Sequence, residues 1–271
     1  MMKVSYDLII ESGKEELDME YGLETLAGTA EVTCILAEAI LRKRIIRRRR
    51  HVNPARAVLK KNFTGSYGQN FDIVIHDPAL TSELKRMTRS VFSEVMGYFM
   101  LEAMYLRARR VSPEAAAIIT DLSDIADELI DRIRSPLIRM HKINLQKNYE
   151  IELNYKKPAD KENVIRLTET TASNLTDSKV SGQQFDIRAM ITRFNARTGT
   201  GRLVLEGEND TIAFGFASAL RNIPANQKSK ISLNLHTNNG LNNNYTYLTL
   251  NVSKVVGFGD VIVKYLIHSV R

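Results

Sequence analysis

The sequence predicts an α+β protein: an N-terminal αβ domain with long helices on a small antiparallel sheet, followed by a C-terminal small β-barrel. Three observations carry this reading. Over residues 23–41 and 84–105, apolar side chains recur at the three-and-four spacing of a helical face. Residues 3–11, 55–61 and 71–75 alternate with period two instead, as strands with one buried face do. From residue 185 onward, short alternating stretches are separated by turns carrying Gly199, Gly201, Gly207, Gly240, Gly257 and Gly259, a spacing that suits a small closed or half-closed barrel. With 271 residues, 44% of them apolar, the chain can fill two cores. We place the domains at 1–175 and 183–271, with a linker inside the polar, weakly patterned stretch 168–184.

Taken in order, Val4, Tyr6, Leu8 and Ile10 form one face of a first strand that Ser12-Gly13-Lys14 ends. A helix follows, with Leu23, Leu26, Ala30, Cys34, Ala37 and Leu41 on one face and Val32, Ile35, Leu36 and Ile40 on a second, so it is expected to be buried on two sides. Glu15 to Glu24 supply acid at its start, and Arg42, Lys43 and Arg44 supply base at its end, the polarity that a helix dipole favours. Asn53-Pro54 stops it. The turn Gly65-Ser66-Tyr67-Gly68 then joins two strands into a β-hairpin, with the arginine run before it read as a third strand or its connection.

From Asp77-Pro78 to Arg110 the pattern reads as one long helix with two apolar faces. That is more than a monomer obviously needs, and homo-oligomerisation is expected from it. Ser112-Pro113-Glu114 caps the next helix, which Ser135-Pro136 should kink or end, and a further helical piece runs to about Gln146. Residues 149–155 and 164–167 are strands around the turn at Pro158. In the last third we read strands at 185–194, 202–206, 211–216, 229–236, 245–254 and 261–268.

The strongest functional signal is a charge distribution. Ten of the 38 Lys and Arg residues lie between Arg42 and Lys61: Arg42, Lys43, Arg44, Arg47, Arg48, Arg49, Arg50, Arg56, Lys60 and Lys61. No Asp or Glu lies between Glu38 and Asp72, and this local surplus exceeds the +7 net charge of the whole chain. These ten residues are the candidate polyanion-binding site, because Lys and Arg contacts to phosphates dominate non-specific nucleic-acid affinity. The other use of such a run is pairing with the acidic segments 15–24 and 121–131, within the chain or across an oligomer. The sequence therefore reads as a non-enzymatic binding or assembly protein whose basic hairpin face engages an acidic protein surface or nucleic acid.

The competing class is a metal-dependent nuclease. Asp121, Asp124, Asp127, Glu128 and Asp131 would form an acidic stripe on one helix, and clustered carboxylates can hold Mg²⁺. The five histidines lack zinc spacing, and no cofactor motif is present, so neither a metal nor a cofactor is expected. The turn at Gly65 lacks the Gly-Lys-Ser/Thr ending of a phosphate loop and the helix of a nucleophile elbow. The lone cysteine, Cys34, sits in an apolar helical pattern and suits a reducing cytoplasm. No apolar run is long enough to span a membrane.

Residues 191–216, ITRFNARTGTGRLVLEGENDTIAFGF, resemble the opening of cold-shock domains and related oligonucleotide-binding barrels, with Phe194, Asn195, Gly199 and Gly201 matching the pattern. That resemblance implies a small barrel that stacks bases on exposed aromatics. Here Thr200, Arg202, Leu203 and Ala213 stand in those neighbourhoods, leaving Phe214 as the stacking platform. The chain as a whole resembles bacterial two-domain proteins of the kind carried beside phage-defence or mobile-element genes.

Overall fold

A computed structural model describes residues 1–45, 54–63, 67–106, 110–157, 160–176, 178–196, 198–241, 243–257 and 261–271. The class is α+β, and the chain divides into two compact units, Met1–Leu175 and Thr176–Arg271.

The first unit opens with β1 (Met2–Ile10) and α1 (Met19–Arg42), then the hairpin β2 (Ala55–Phe63) and β3 (Tyr67–Ile75). Five helices follow: α2 (Pro78–Met87), α3 (Arg89–Ala103), α4 (Pro113–Asp121), α5 (Ala126–Met140) and α6 (Lys142–Lys147). The unit closes with β4 (Ile151–Lys156), β5 (Lys161–Leu167) and α7 (Glu169–Thr176). The sheet is antiparallel throughout, in the order β2-β3-β1-β4-β5. Strand β1 lies at its centre and sorts its side chains by parity. Val4, Tyr6, Leu8 and Ile10 are fully buried against the helices, while Lys3, Ser5, Asp7 and Ile9 point to the opposite face.

Glycine lets the helices close on that core. A Cβ at Gly28 of α1 would lie 2.3 Å from the Met140 backbone nitrogen of α5, and one at Gly97 of α3 would lie 2.9 Å from the Val164 carbonyl of β5. Polar caps set the helix starts. Asp77 accepts from the Ala79 and Leu80 amides, and Ser112 accepts from Ala115, each just ahead of a first-turn proline.

Three expectations change in this unit. The helix read from Asp77 to Arg110 is two helices, broken at Thr88, whose φ of 65° and ψ of 159° leave the helical region while its hydroxyl caps α3. The helix read from Ser112 to Ser135 is also two, α4 and α5, separated by a turn at 122–125, and α5 runs past Pro136 to Met140. The stretch read as a linker forms α7 and the start of the next strand, because Thr171, Ala172, Ser173 and Asn174 are buried. The expected strand or connection at the arginine run lies outside the described residues.

The second unit contains β6 (Lys179–Asn195), β7 (Thr200–Leu205), β8 (Thr211–Phe216), α8 (Ala225–Asn238), β9 (Leu248–Val256) and β10 (Ile262–Val270). The long β6 pairs with β9 along its first part and with β7 along its second. Pairing then runs from β7 to β8, from β8 in parallel to β10, and from β10 back to β9, so each strand has two neighbours. Ile191, Leu203, Phe214, Leu250, Val252, Tyr265 and Ile267 fill the interior, with Ile231 of α8 joining them.

The expected strand at 229–236 is instead part of α8. Ile231, Leu233 and Leu235 alternate as in a strand, but the helix buries Ile231, Asn234 and Asn238 on one face and leaves Leu233 63% exposed. Asn234 accepts from the Ile191 amide and donates to the Thr246 carbonyl, and Asn238 exchanges bonds with Thr246. Polar side chains thus carry the buried face that an apolar pattern would have announced.

Candidate polyanion-binding face

The ten basic residues do not form one cluster. At the end of α1, Arg42 pairs with Asp77 at 3.5 Å and Lys43 with Asp121 at 2.7 Å, tying that helix to the start of α2 and the end of α4. Arg44 is exposed and forms no ion pair among the described residues. Arg47, Arg48, Arg49 and Arg50 lie outside the described residues. Arg56, Lys60 and Lys61 stand on β2, the edge strand of the first sheet, where the register shifts between Leu59 and Asn62. Lys60 pairs with Asp72 at 2.8 Å, whereas Arg56 and Lys61 are exposed and form no ion pair among the described residues.

Around these β2 residues the structure gathers cations that sequence reasoning did not select. On the sheet face turned away from the apolar core, Asp7 of β1 and Asp72 of β3 are each only 1% exposed. A buried carboxylate is costly unless paired, and both are paired by lysines from other strands. Asp72 accepts from Ser5 Oγ at 2.7 Å and faces Lys60 at 2.8 Å and Lys3 at 4.0 Å. Asp7 faces Lys161 at 2.9 Å and Lys156 at 3.4 Å, and Lys156 also donates to Asn70 Oδ1 at 2.8 Å. Four lysines therefore stand over two carboxylates, and Arg56 and Lys61 add to them at the edge. Polar parity in β1 hints at such a face, but cross-strand neighbours are set by the pairing of β1 with β3 and β4, which no local pattern encodes.

The acidic stripe is not one stripe. Asp121 ends α4, Asp124 lies in the turn after it, and Asp127, Glu128 and Asp131 belong to α5. Asp121 is taken by Lys43 and Asp131 by Arg134. Among the described residues no three His, Cys, Asp or Glu side chains are grouped so as to hold a metal ion. The Asp77 carboxylate serves structure: it caps α2 and pairs with Arg42.

In the second unit, Phe214 is not a stacking platform. It is 1% exposed and stacked on Phe194 inside the ring, with centroids 6.2 Å apart. The cause is parity: Phe214 is registered opposite Gly201 on the interior face, and Ala213 opposite the buried Arg202 on the other face of the strand pair.

The chain matches no family model, no curated protein and no solved structure.

Proposed function

We propose that the chain is a non-enzymatic binding protein whose basic hairpin face engages nucleic acid through its phosphates. The observation that supports this most directly is the composition of the sheet face beside β2, where exposed cations outnumber the two carboxylates and those carboxylates are already held by lysines. Phosphate contacts of this kind give affinity without sequence preference. The second unit has the five strands that small oligonucleotide-binding barrels use, together with α8, but offers no exposed aromatic at Phe214, so the phosphate term carries the reading.

An acidic protein surface is the second reading, favoured by the ion pairs of Arg42 and Lys43 with carboxylates of this chain. Self-association loses the support it drew from the long helix. Phe92, Val95, Met96, Phe99 and Met100 are all fully buried within the chain. The nuclease reading loses its single stripe because the acids are divided between α4, the turn after it and α5.

The test replaces Arg47, Arg48, Arg49 and Arg50 together by Ala and follows binding to a generic duplex as salt is raised. Each phosphate contact contributes about 0.9 to the slope of log affinity against log salt. The variant is expected to bind more weakly and with a flatter slope while its melting temperature is unchanged. A lower melting temperature or a dissociated oligomer, with weak duplex binding throughout, would favour the protein-pairing reading instead.

A further inference from the structure

On the same sheet face, we propose a discrete phosphate-binding site between Lys60 and Lys61 of β2 and Lys156 of β4, an inference that rests on the polyanion reading above. A cavity of about 480 Å³ opens there, lined by Ser5, Lys60, Lys61, Asn70, Asp72 and Lys156 over the strand segments at Tyr6 and Phe71. That volume is within the range of ligand sites, roughly 300 to 1,000 Å³.

The hydrogen-bonding inventory of the cavity decides what fits. An ammonium has three donors and no acceptor. Lys60 directs one bond to Asp72, and Lys156 directs one to Asn70 Oδ1 while facing Asp7 as an ion pair at 3.4 Å. Lys61 forms no ion pair or side-chain hydrogen bond among the described residues, and its backbone carbonyl accepts from Asn70 Nδ2 at 3.0 Å. The acceptors are engaged: Asp72 Oδ1 by Ser5, Asp72 Oδ2 by Lys60, and Asn70 Oδ1 by Lys156. Donors are left over, and the missing partner is a group with several acceptor oxygens and negative charge, which a phosphate supplies.

Of the carboxylates beside these lysines, Asp7 is covered by Lys156 and Lys161, and Asp72 lines the cavity. Asp72 is buried beneath Lys60 and Ser5, so it neutralises part of the lysine charge in the free protein and holds Lys60 in place. A second depression, of about 230 Å³, lies between α3 and β5 and has a different character. Its acids are spoken for, Glu94 by the Ser112 amide and hydroxyl and Glu162 by Lys157 and Ser90, and Arg110 is the cation that lines it.

The experiment uses the full chain with two probes, a labelled generic duplex and inorganic pyrophosphate as its competitor, across a salt series. Three variants are read: Lys61→Ala, Lys61→Ala with Lys156→Ala, and Lys61→Arg. The site predicts that the double variant loses about two from the log–log salt slope and Lys61→Ala about one, that Lys61→Arg keeps the wild-type slope, and that pyrophosphate ceases to compete with the duplex in the double variant. Because Lys156 also neutralises Asp7, the Lys61→Ala protein answers the question should the double variant fail to fold. Wild-type slopes and wild-type competition in both Ala proteins would overturn the site. If the Arg47–Arg50 variant nonetheless loses slope, the polyanion reading survives that result. Pyrophosphate binding that depends on Lys61 and Lys156 without duplex binding would support the site as one for small phosphate compounds and overturn the nucleic-acid reading alone. Binding of neither probe to the wild type overturns both.

Discussion

His141 is the buried titratable group whose surroundings most clearly fix one protonation state. It is fully buried between α5 and α6, with Nδ1 2.7 Å from the Leu137 carbonyl and Nε2 2.8 Å from Thr171 Oγ1. The carbonyl can only accept, so Nδ1 carries the proton and Nε2 faces the Thr171 hydroxyl. Burial lowers its pKa to about 4, although the bond to the Leu137 carbonyl acts in the opposite direction. The native pKa lies below that of an unfolded histidine, so protonation favours the unfolded chain. The stability is fully present above about pH 6.5 and is lost as pH falls toward 4, amounting to about 2 kcal/mol between pH 7 and pH 5. Urea unfolding at those two pH values should show the loss in the wild type, and His141→Gln should remove most of the difference. Equal pH dependence in the two proteins would contradict this account. Nothing in the sequence separates His141 from the other four histidines, because the burial comes from α7, whose TETTASNLT segment has too few large apolar residues to announce a packed helix.

At the scale of elements, the α1–α5 contact is sensitive to a single methyl group. Gly28 meets the Arg139 carbonyl carbon and the Met140 nitrogen and Cα, all backbone atoms that cannot rotate away. In an isolated helix Gly→Ala gains about 1 kcal/mol. Here the clash opposes that gain, and overpacking of a close contact costs about 1 to 3 kcal/mol. Gly28→Ala should therefore lower the urea midpoint, while Gly182→Ala, where a Cβ meets nothing within 4 Å, serves as the neutral control. A stabilised Gly28→Ala protein would mean that α1 and α5 separate at little cost. The helix itself was legible because its two apolar faces persist over many turns, and the hairpin because a glycine turn separates two alternating runs. The break at Thr88 was not, since neither glycine nor proline marks it. In the candidate site, Arg56, Lys60 and Lys61 could be read from the sequence as a basic strand. Lys3, Lys156, Lys161 and the two carboxylates could not, because strands remote in sequence bring them together.

Across the whole molecule, charge and cores are divided between the two units. Residues 176–271 carry eleven Lys and Arg against six Asp and Glu, whereas the first unit offsets most of its cations with acids such as those of α4 and α5. The second unit also has its own apolar cluster, and each of its five strands is paired on both sides by strands of the same unit. A segment of this length with one continuous core is within the size at which single domains unfold cooperatively. Residues 176–271 produced alone should therefore show a sigmoidal thermal transition by circular dichroism and dispersed amide signals by nuclear magnetic resonance. A featureless melt with collapsed amide dispersion would mean that the ring depends on the first unit for its stability. In that case the charge surplus of the second unit would have to be understood as part of one larger surface rather than as the property of a separate domain.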